Sequence, residues 1–532
     1  MIYCRKLIYV FSKVLSKFSL LILLGLFFSI QSHSDYNPEI KLSSGLSIIG
    51  LYDELTDTES FLGVPFAEPP VNELRWSPPI MPNHSDKVRK VQSYGPSCMQ
   101  GPHIYNWYRT VAQNFGSEPD VIKNPKTSED CLYLNIWRPA GLNESEKLPT
   151  IVYIHGGSNK GGWSFEPNYV GDNFAKHGVI LISIAYRLGV FGYFSHPQLK
   201  SANFGLLDQI HALNWIHKNA HNLGIDKKNI TIMGESVGAS AAGFMVASPH
   251  SSQLFSKIIF QSGGFSFSEI PHKSEHDPLG IKFEEYLIDE VSENPIDKLR
   301  ELDSNEILKA AEVVFSNHRF TPVIDDQSLF RDTSLNDFIM QLGGKNLIIG
   351  SNENEWLMYV DENQLLDTWL ETQVEKESLS SLKFLIDKEK SDLETIDSLM
   401  SAKIFACPSL LLAKTAKTSG STVWFYYFTR KRVNAVAASM GAYHGAELPY
   451  VFDKHDDWLL TVKKDRNLTR DLQKYWTNFA KFGDPNDDTL EHWQSFEVPE
   501  RTVFYLEIII KLNLIQARNS ASIYNFYSKV VL

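Results

Sequence analysis

The sequence predicts an α/β fold built on a large, mostly parallel sheet that helices flank. Short apolar runs rich in β-branched and aromatic residues recur through the middle of the chain. These runs are 150–154, 179–184, 230–233, 257–260, 347–349 and 422–428. Segments of helical periodicity, such as 206–222, lie between them. Strands that are apolar on both faces and alternate with helices are typical of a parallel sheet covered by helices.

The organisation of the chain favours one large domain with insertions over two tandem domains. At 532 residues the chain exceeds the usual size of a single core. Two polar stretches with helical periodicity, about 270–318 and 362–420, interrupt the alternation of strands and helices. No proline- or glycine-rich linker and no internal repeat separates the parts. We therefore predict a single domain over residues 35–532, with helical insertions above the sheet.

The first 34 residues have the pattern of a secretory signal peptide. Four basic residues precede a 13-residue apolar run, 18–30, which is followed by Ser32-His-Ser34. The run is shorter than the ~20 residues that span a bilayer. We predict cleavage after residue 34 and secretion to the extracellular space, with no stable membrane insertion. An uncleaved signal anchor is the alternative.

The charge of the chain excludes some partners. Removal of residues 1–34 takes away four basic residues and no acidic one, which lowers the formal net charge from −12 to −16. So acidic a chain is poorly suited to nucleic acid or anionic lipid. We expect no nucleic-acid partner, and the sequence does not determine an oligomeric state.

Secretion would place the cysteines and glycosylation sequons in an oxidising compartment. Cys4 leaves with the signal peptide, and the three remaining cysteines allow one pair and one odd thiol. Sequons in polar, loop-like surroundings predict glycans at Asn83, Asn143 and Asn467. A fourth sequon, at Asn229, begins a strand and is not expected to be modified.

The segment Gly234-Glu-Ser-Val-Gly238 has the pattern of a nucleophile elbow. It follows the strand 230–233 and precedes a helix-compatible stretch, 239–246. In such an elbow the serine lies at a sharp, strained turn that exposes its hydroxyl above the sheet. The residues two before and two after then approach each other so closely that only glycine fits. Five-residue strings of this type also arise by chance, as glycine-rich turns without a chemical role.

Further stretches resemble the type-B carboxylesterase family, which includes the cholinesterases. They occur in family order from about residue 40 to the end of the chain. They are Phe61-Leu-Gly-Val-Pro-Phe-Ala-Glu-Pro-Pro70, Ser128-Glu-Asp-Cys-Leu-Tyr-Leu-Asn135, Tyr153-Ile-His-Gly-Gly157, Tyr186-Arg-Leu-Gly-Val-Phe-Gly192, Phe204-Gly-Leu-Leu-Asp-Gln209, Gln261-Ser-Gly263 and Tyr443-His-Gly-Ala-Glu-Leu-Pro-Tyr450. The resemblance implies the α/β-hydrolase fold and a serine carboxylesterase.

The resemblance also implies a catalytic triad. Ser236 takes the position of the nucleophile, His444 that of the base and Glu355 that of the acid. Glu353 is the rival for the acid, but the family spacing of Gly, Asn and Glu falls on Gly350, Asn352 and Glu355. A serine hydroxyl needs such a base to become a nucleophile.

The oxyanion hole that the resemblance implies contains two departures from the family pattern. Its donors are the main-chain N–H groups of Gly157, Ser158 and Val237, and Gly156 lets the turn approach closely. The family usually has glycine in place of Ser158 and alanine in place of Val237. Main-chain donors survive both changes, but the added side-chain volume predicts slow turnover, or a preference for small acyl groups or slender substrates.

Other residues match structural positions of the family. The resemblance implies a disulfide between Cys98 and Cys131 and leaves Cys407 as a buried free thiol. It implies the ion pairs Arg75–Glu129 and Arg187–Asp208. It also implies that Ser262 hydrogen-bonds near the triad acid or base.

No motif predicts a metal or another cofactor. His217 and His221 lie four residues apart on one predicted helix, with His211 nearby, but no carboxylate-rich motif accompanies them. We interpret these three as surface histidines. Gly343-Gly-Lys345 lacks the spacing of a phosphate-binding loop.

Two functions remain from different classes. The stretch 118–127, where a cholinesterase carries its choline-binding tryptophan, has no aromatic residue, so choline esters are not the first expectation. The first hypothesis is a secreted serine carboxylesterase whose partner is a small, uncharged ester. The second is a weak or inactive adhesion protein, since some relatives use the same fold in that way.

Overall fold

The computed structural model describes residues 36–506, except 84–86, 144, 267–269, 290–291, 374–382, 384–385, 387–388, 434–439 and 498–503. The predicted signal peptide, residues 1–34, lies outside the described residues. The chain divides into two units, Met1–Pro38 and Glu39–Leu532. Every described strand and helix lies in the second unit.

A ten-stranded sheet organises the second unit. The strands of the chain are Glu39–Lys41 (β1), Ser47–Ile49 (β2), Leu51–Asp53 (β3), Thr58–Pro65 (β4), Val88–Lys90 (β5), Ser97–Cys98 (β6), Thr127–Ser128 (β7), Tyr133–Pro139 (β8), Leu148–Ile154 (β9), Ile180–Ile184 (β10), Ile225–Glu235 (β11), Lys257–Gln261 (β12), Asn346–Asn352 (β13), Val423–Phe428 (β14) and Phe504–Leu506 (β15). The large sheet has the order β15-β14-β13-β12-β11-β9-β10-β8-β4-β3. Two small sheets, β1-β2-β5 and β6-β7, accompany it.

The pairing confirms the predicted mostly parallel sheet. From β10 through β9 and on to β15, every neighbouring pair is parallel. Only β8, β4 and β3, at one end of the sheet, pair antiparallel. Each of the six predicted apolar runs forms a strand of the parallel part. The largest difference is β11, which begins at Ile225 and shifts register against β9 between Ile225 and Ile230.

The stretches for which helical periodicity predicts helices all contain helices, and further helices occur elsewhere in the chain. They are His103–Asn114 (α1), Asp172–Lys176 (α2), Gly189–Gly192 (α3), Phe204–Leu223 (α4), Val237–Ala247 (α5), Lys273–Leu287 (α6), Pro295–Glu301 (α7), Ser304–Val314 (α8), Leu335–Leu342 (α9), Leu366–Gln373 (α10), Asp392–Ser401 (α11), Cys407–Thr418 (α12), Leu448–Phe452 (α13) and Lys463–Phe482 (α14). A π-helical turn, Ala402–Ala406, joins α11 to α12. The two predicted insertions contain α6–α8 and α10–α12.

The continuous apolar runs follow from burial on both faces of the sheet. In β9, Val152 and Ile154 belong to one hydrophobic core, whereas Ile151 and Tyr153 belong to a second. Successive side chains of a strand point to opposite faces, so a sheet with a core on each side needs an apolar residue at every position.

The carboxyl ends of the parallel strands meet at one edge of the sheet. There β11 ends at Glu235, β12 at Gln261 and β13 at Asn352. Open α/β sheets bind their ligands at this edge. The predicted nucleophile follows β11, and the predicted acid follows β13 by three residues.

Candidate active site

Ser236 occupies a strained turn between β11 and α5. Its backbone has φ 58° and ψ −130°, outside the conformations that L-residues ordinarily adopt. A Cβ on Gly234 would lie 2.3 Å from the Gly238 carbonyl, and one on Gly238 would lie 2.1 Å from the Ile154 carbonyl oxygen. The close approach predicted for the two glycines is confirmed, and it joins the elbow to the end of β9.

His444 and Glu355 form a short hydrogen bond at the same edge. His444 Nδ1 lies 2.6 Å from Glu355 Oε2, and the Glu355 side chain is fully buried. The other carboxylate oxygen accepts the main-chain N–H of Asn352 at 2.7 Å. The rival, Glu353, instead pairs with Lys431 at 2.9 Å. The structure therefore places Glu355 against the imidazole.

A second carboxylate, which sequence analysis missed, contacts the other nitrogen of the imidazole. Glu235 Oε1 lies 3.1 Å from His444 Nε2, without hydrogen-bond geometry. Burial lowers the pKa of the His444 imidazole, but the Glu235 and Glu355 carboxylates outweigh burial and raise it to about 9. Burial raises the pKa of Glu235 to about 8, although His444 acts in the opposite direction. Glu235 stands next to the nucleophile in the elbow motif, which was the available signal.

A buried polar network fixes the strand ends around His444. The Glu447 carboxylate is fully buried and accepts hydrogen bonds from Gln261 Nε2 at 2.9 Å and Asn352 Nδ2 at 2.6 Å. Asn352 Nδ2 also donates to the Tyr443 carbonyl at 2.8 Å. The ends of β12 and β13 are thereby tied to the segment that carries His444. Burial raises the pKa of Glu447.

The predicted oxyanion loop lies against the elbow. A Cβ on Gly156 would lie 3.0 Å from the Ser236 Cβ. Gly157 has φ 105°, and its carbonyl accepts the N–H of Lys160 at 3.0 Å. Within the described parts of the chain, the N–H groups of Gly157, Ser158 and Val237 donate no hydrogen bond. These donors are therefore free to bind an anion.

Ser158 has a left-handed backbone. Its φ is 57°, a conformation that glycine adopts easily and L-residues adopt at a cost. Ser158 is exposed and Val237 is half-buried. Serine in place of the usual glycine therefore introduces backbone strain at this position. The crowding of the site by its side chain stays a prediction.

Ser262 does not make the expected hydrogen bond. Its side chain is fully buried, but among the described residues the hydroxyl has no partner. Its N–H donates to the Gly350 carbonyl at 2.9 Å. Asn352 instead donates to both carboxylates, through its main-chain N–H to Glu355 and through its side chain to Glu447.

The implied disulfide and ion pairs are present. Cys98 and Cys131 are bonded. The closest N–O distances are 2.6 Å for Arg75–Glu129 and 2.7 Å for Arg187–Asp208. Cys407 is a free, half-buried thiol whose pKa burial raises to about 12, so it is unreactive.

The sequons differ in their surroundings. Asn83 and Asn143 are exposed and lie outside helices and strands. Asn467 is exposed but lies in the second turn of α14, so the prediction of a loop there is wrong. Its helix is strongly amphipathic, and the polar face resembles a loop in composition. Asn229 donates to the Lys481 carbonyl at 3.0 Å and accepts from Lys257.

The three histidines of α4 do not all lie on the surface. His211 and His217 are half-buried, and His217 Nε2 lies 2.7 Å from the Leu254 carbonyl oxygen. Only His221 is exposed. The described residues contain no group of three or more His, Cys, Asp or Glu side chains placed to hold a metal ion.

Two aromatic residues that sequence analysis did not single out border His444. The Phe405 ring, on the π-helical turn, lies 4.7 Å from the imidazole, centroid to centroid. Trp107, on α1, approaches within 3.9 Å of a Cβ built on Gly445. Although 118–127 has no aromatic residue, the loop closed by the disulfide thus brings a tryptophan to the site from α1.

A strained serine between a parallel strand and a helix, with a histidine and a buried glutamate at the same sheet edge, defines an α/β-hydrolase. The family is shown by sequence: a sequence model of the Carboxylesterase family matches residues 37–526, and the chain belongs to that family. It is a carboxylic ester hydrolase.

Known relatives agree with this assignment along most of the chain. The chain is 29% identical to Fumonisin B1 esterase of Sphingopyxis macrogoltabida, covering 83% of this chain and 82% of that one. It is also 29% identical to Carboxylesterase 1C of Mus musculus, covering 90% of each. The solved structure of a PNB esterase superposes with a TM-score of 0.75 at 27% identity, covering 92% of this chain and 100% of the other.

Proposed function

We propose that the enzyme hydrolyses carboxylic esters with a Ser236–His444–Glu355 triad, through an acyl-enzyme intermediate. The observation that carries the proposal is the 2.6 Å hydrogen bond from His444 Nδ1 to the buried Glu355. It lies at the sheet edge where Ser236 is held in its strained turn. Glu355 holds the imidazole in the tautomer that leaves Nε2 free to accept a proton.

The reaction follows from these positions. His444 Nε2 accepts the hydroxyl proton of Ser236 while the serine oxygen attacks the ester carbonyl. His444 then gives that proton to the leaving alcohol, and an acyl-enzyme remains on Ser236. Water repeats the two steps, with His444 again as base, and releases the carboxylic acid.

The unpaired N–H groups of Gly157, Ser158 and Val237 stabilise the tetrahedral intermediate. The carbonyl oxygen acquires negative charge as the serine attacks, and donors already in place lower the barrier. In comparable enzymes, loss of one such donor costs about 3–4 kcal/mol. Gly156 keeps the loop close to the elbow, because a Cβ there would lie 2.7 Å from Glu235 Oε2 and 3.0 Å from the Ser236 Cβ.

Glu235 sets the protonation state from which the reaction begins. An ionised Glu235 favours the imidazolium, which cannot accept a proton. Because burial raises the pKa of Glu235, this carboxylate takes up a proton more readily than an exposed one, and its protonation removes charge that holds the proton on His444. For catalysis Nε2 must exchange its contact with Glu235 for one with Ser236.

Labelling with a fluorophosphonate probe tests the triad. We expect an adduct on Ser236, located by mass spectrometry, and hydrolysis of short 4-nitrophenyl esters. Ser236→Ala should abolish labelling and lower kcat by about 10⁴- to 10⁶-fold. Ser240→Ala is the matched control, since Ser240 lies one helical turn further on and donates to the Gly264 carbonyl at 2.8 Å.

Two outcomes would contradict the triad. One is labelling that survives in Ser236→Ala. The other is a folded wild-type protein that neither reacts with the probe nor hydrolyses any short aryl ester, which would favour the adhesion role.

We also propose that the enzyme is secreted and glycosylated. The basic and apolar pattern of residues 1–34, the Cys98–Cys131 disulfide and the exposed Asn83 and Asn143 support this. When the full chain is expressed in a eukaryotic host that secretes proteins, we expect the enzyme in the culture medium. Its chain should begin near residue 35, and its mass should fall on treatment with an N-glycosidase. Retention of residues 1–34 in the membrane fraction would contradict the proposal.

A further inference from the structure

A group of nitrogen-bearing side chains borders the oxyanion loop and has no part in the triad. Lys160 stands three residues after Gly157, and its N–H donates to the Gly157 carbonyl at 3.0 Å. A turn of this kind keeps the first and last Cα atoms within about 7 Å. Because Gly156 packs closely against Ser236, this turn brings the Lys160 backbone near the reaction site.

The Lys160 ammonium lies near an aromatic ring. Within the parts of the chain that the structure describes, no carboxylate forms an ion pair with it. Its Nζ lies 5.7 Å from the centroid of the Phe320 ring, and Phe320 is buried. The apolar and aromatic surroundings weaken hydration of the ammonium. An anion that binds it is therefore attracted more strongly than it would be by a fully exposed lysine.

Two histidines, His103 and His318, interact electrostatically with Lys160, and a third, His276, contacts His318. The rings of His276 and His318 meet edge to face, with centroids 4.9 Å apart. His103 interacts with the Gly157 backbone, and its ring lies 2.5 Å from a Cβ built on Gly161. Loss of hydration, His276 and Lys160 together lower the pKa of His318 to about 4. Loss of hydration is also the main reason why the pKa values of His103 and His276 are lowered.

The histidines are therefore neutral near pH 7, and His276 and His318 offer N–H donors without adding charge, whereas the His103 ring already hydrogen-bonds the backbone. A carboxylate needs both a counter-charge and several donors, which this lysine and these imidazoles supply together. Neutral imidazoles also avoid repulsion of Lys160 while the site is empty.

The carboxylates near the histidines have other roles or are exposed. Glu275 accepts a main-chain N–H at the start of its own helix, α6, at 2.7 Å. Asp277 pairs with Lys273 at 2.7 Å. Glu312, near His103, is exposed. None of the three pairs with Lys160.

We propose that Lys160, with His276 and His318, binds a carboxylate of the substrate, so that the enzyme prefers esters that carry a free carboxylate. This inference rests on the proposed ester hydrolysis at Ser236. It differs from the expectation of an uncharged ester, which considered only the triad and the missing aromatic residue in 118–127.

Two matched pairs of substrates test the proposal and distinguish where the carboxylate lies. The mono-4-nitrophenyl ester of adipic acid carries it in the acyl part, and 4-carboxyphenyl acetate carries it in the alcohol part. The neutral partner of each has a carboxamide in place of the carboxylate. For at least one pair, the wild type should prefer the acid in kcat/KM, and Lys160→Met should reduce that preference about tenfold or more.

The neutral substrates provide the control for folding and for the triad. Lys160→Met should change their kcat/KM by less than about twofold, because the lysine touches no reacting atom. Lys160→Arg should restore most of the preference for the acid, and Lys200→Met, at an exposed lysine elsewhere, should leave it unchanged.

The outcomes separate this inference from the proposal on which it rests. If neutral esters are hydrolysed but Lys160→Met leaves the ratio of acid to amide unchanged in both pairs, the carboxylate site is wrong and the triad stands. An equal loss for acid and amide would also overturn the site, since it would show a structural role for Lys160. If neither class is hydrolysed and Ser236 is not labelled, both proposals fail.

Discussion

The two sides of the His444 imidazole differ in how their carboxylates are held. On the Nδ1 side, Glu355 is fully buried, lies 2.6 Å away and receives a second hydrogen bond from the Asn352 main chain. On the Nε2 side, Glu235 lies 3.1 Å away, and within the described part of the chain its Oε1 has no hydrogen-bond partner. The first carboxylate has the donors that stabilise a permanent charge, whereas the second has a raised pKa and can lose its charge. The same residue type can therefore orient the imidazole from one side and change its pKa from the other.

The largest expected effect comes from removing the charge on the Nδ1 side. Glu355→Gln keeps the shape but offers an amide to the imidazole, which favours the wrong tautomer. We expect kcat to fall by about 10³- to 10⁴-fold, with little change in KM for a short aryl ester. Steady-state kinetics with 4-nitrophenyl acetate measures this. Glu353→Gln is the matched control and should stay near the wild-type rate.

The support behind Glu355 gives the next effect. Asn352→Ala removes a donor from the buried Glu447 and from the Tyr443 carbonyl. An unsatisfied buried acceptor costs roughly 1–3 kcal/mol of the free energy of unfolding. We expect that loss in urea unfolding, together with a moderate fall in kcat because His444 is held less firmly. An unchanged midpoint and an unchanged kcat would show that the network does not position the imidazole.

Removal of the Glu235 charge on the Nε2 side should mainly change how kcat/KM depends on pH. The carboxylates raise the pKa of His444 to about 9, so Glu235→Gln should lower it by roughly 1–2 units. Since protonated His444 is inactive as a base, the acidic limb of the kcat/KM profile should move to lower pH by that amount. A profile identical to that of the wild type would contradict the proposed role of Glu235.

How much of this site the sequence could predict depends on the kind of information each residue carries. Ser236 stands in an elbow motif whose spacing fixes the local backbone, and the resemblance to the carboxylesterase family assigns His444 and Glu355. The apolar runs predict the strands that bring these segments to one edge of the sheet. The contact of Glu235 with His444 could not be predicted, because the elbow motif identifies the nucleophile but does not show where the side chain of the preceding residue points.

Contacts between residues that are far apart in the chain could not be predicted from the sequence either. Phe405 reaches His444 from a polar helical insertion whose path no periodicity defines. Among the described residues the Ser262 hydroxyl has no partner, whereas Asn352 donates to both Glu355 and Glu447, and the sequence alone does not show which of the two residues contacts these carboxylates. The polar residues around Asn467 predict a loop, but they form the polar face of the amphipathic helix α14.

The smallest effect concerns the oxyanion loop, which contacts neither side of the imidazole. Ser158→Gly relieves a left-handed backbone, an advantage of about 1 kcal/mol that the greater flexibility of glycine partly offsets. We expect a change in Tm of only a few degrees or less. If side-chain volume at Ser158 limits the site, rates should rise most for the longest acyl chains in a series of 4-nitrophenyl esters. Equal rate changes at every chain length would exclude crowding by Ser158.

A crystal structure of the enzyme with a phosphonate bound covalently tests the account most directly. We expect phosphorus bonded to Ser236 Oγ, and the phosphonyl oxygen within about 3 Å of the N–H groups of Gly157, Ser158 and Val237. His444 should remain bonded to Glu355 while Nε2 moves from Glu235 towards Ser236. Phosphorus on another residue, or an imidazole that stays on Glu235 with the phosphonyl oxygen away from the loop, would contradict the convergence of serine, histidine and glutamate into one proton-transfer path.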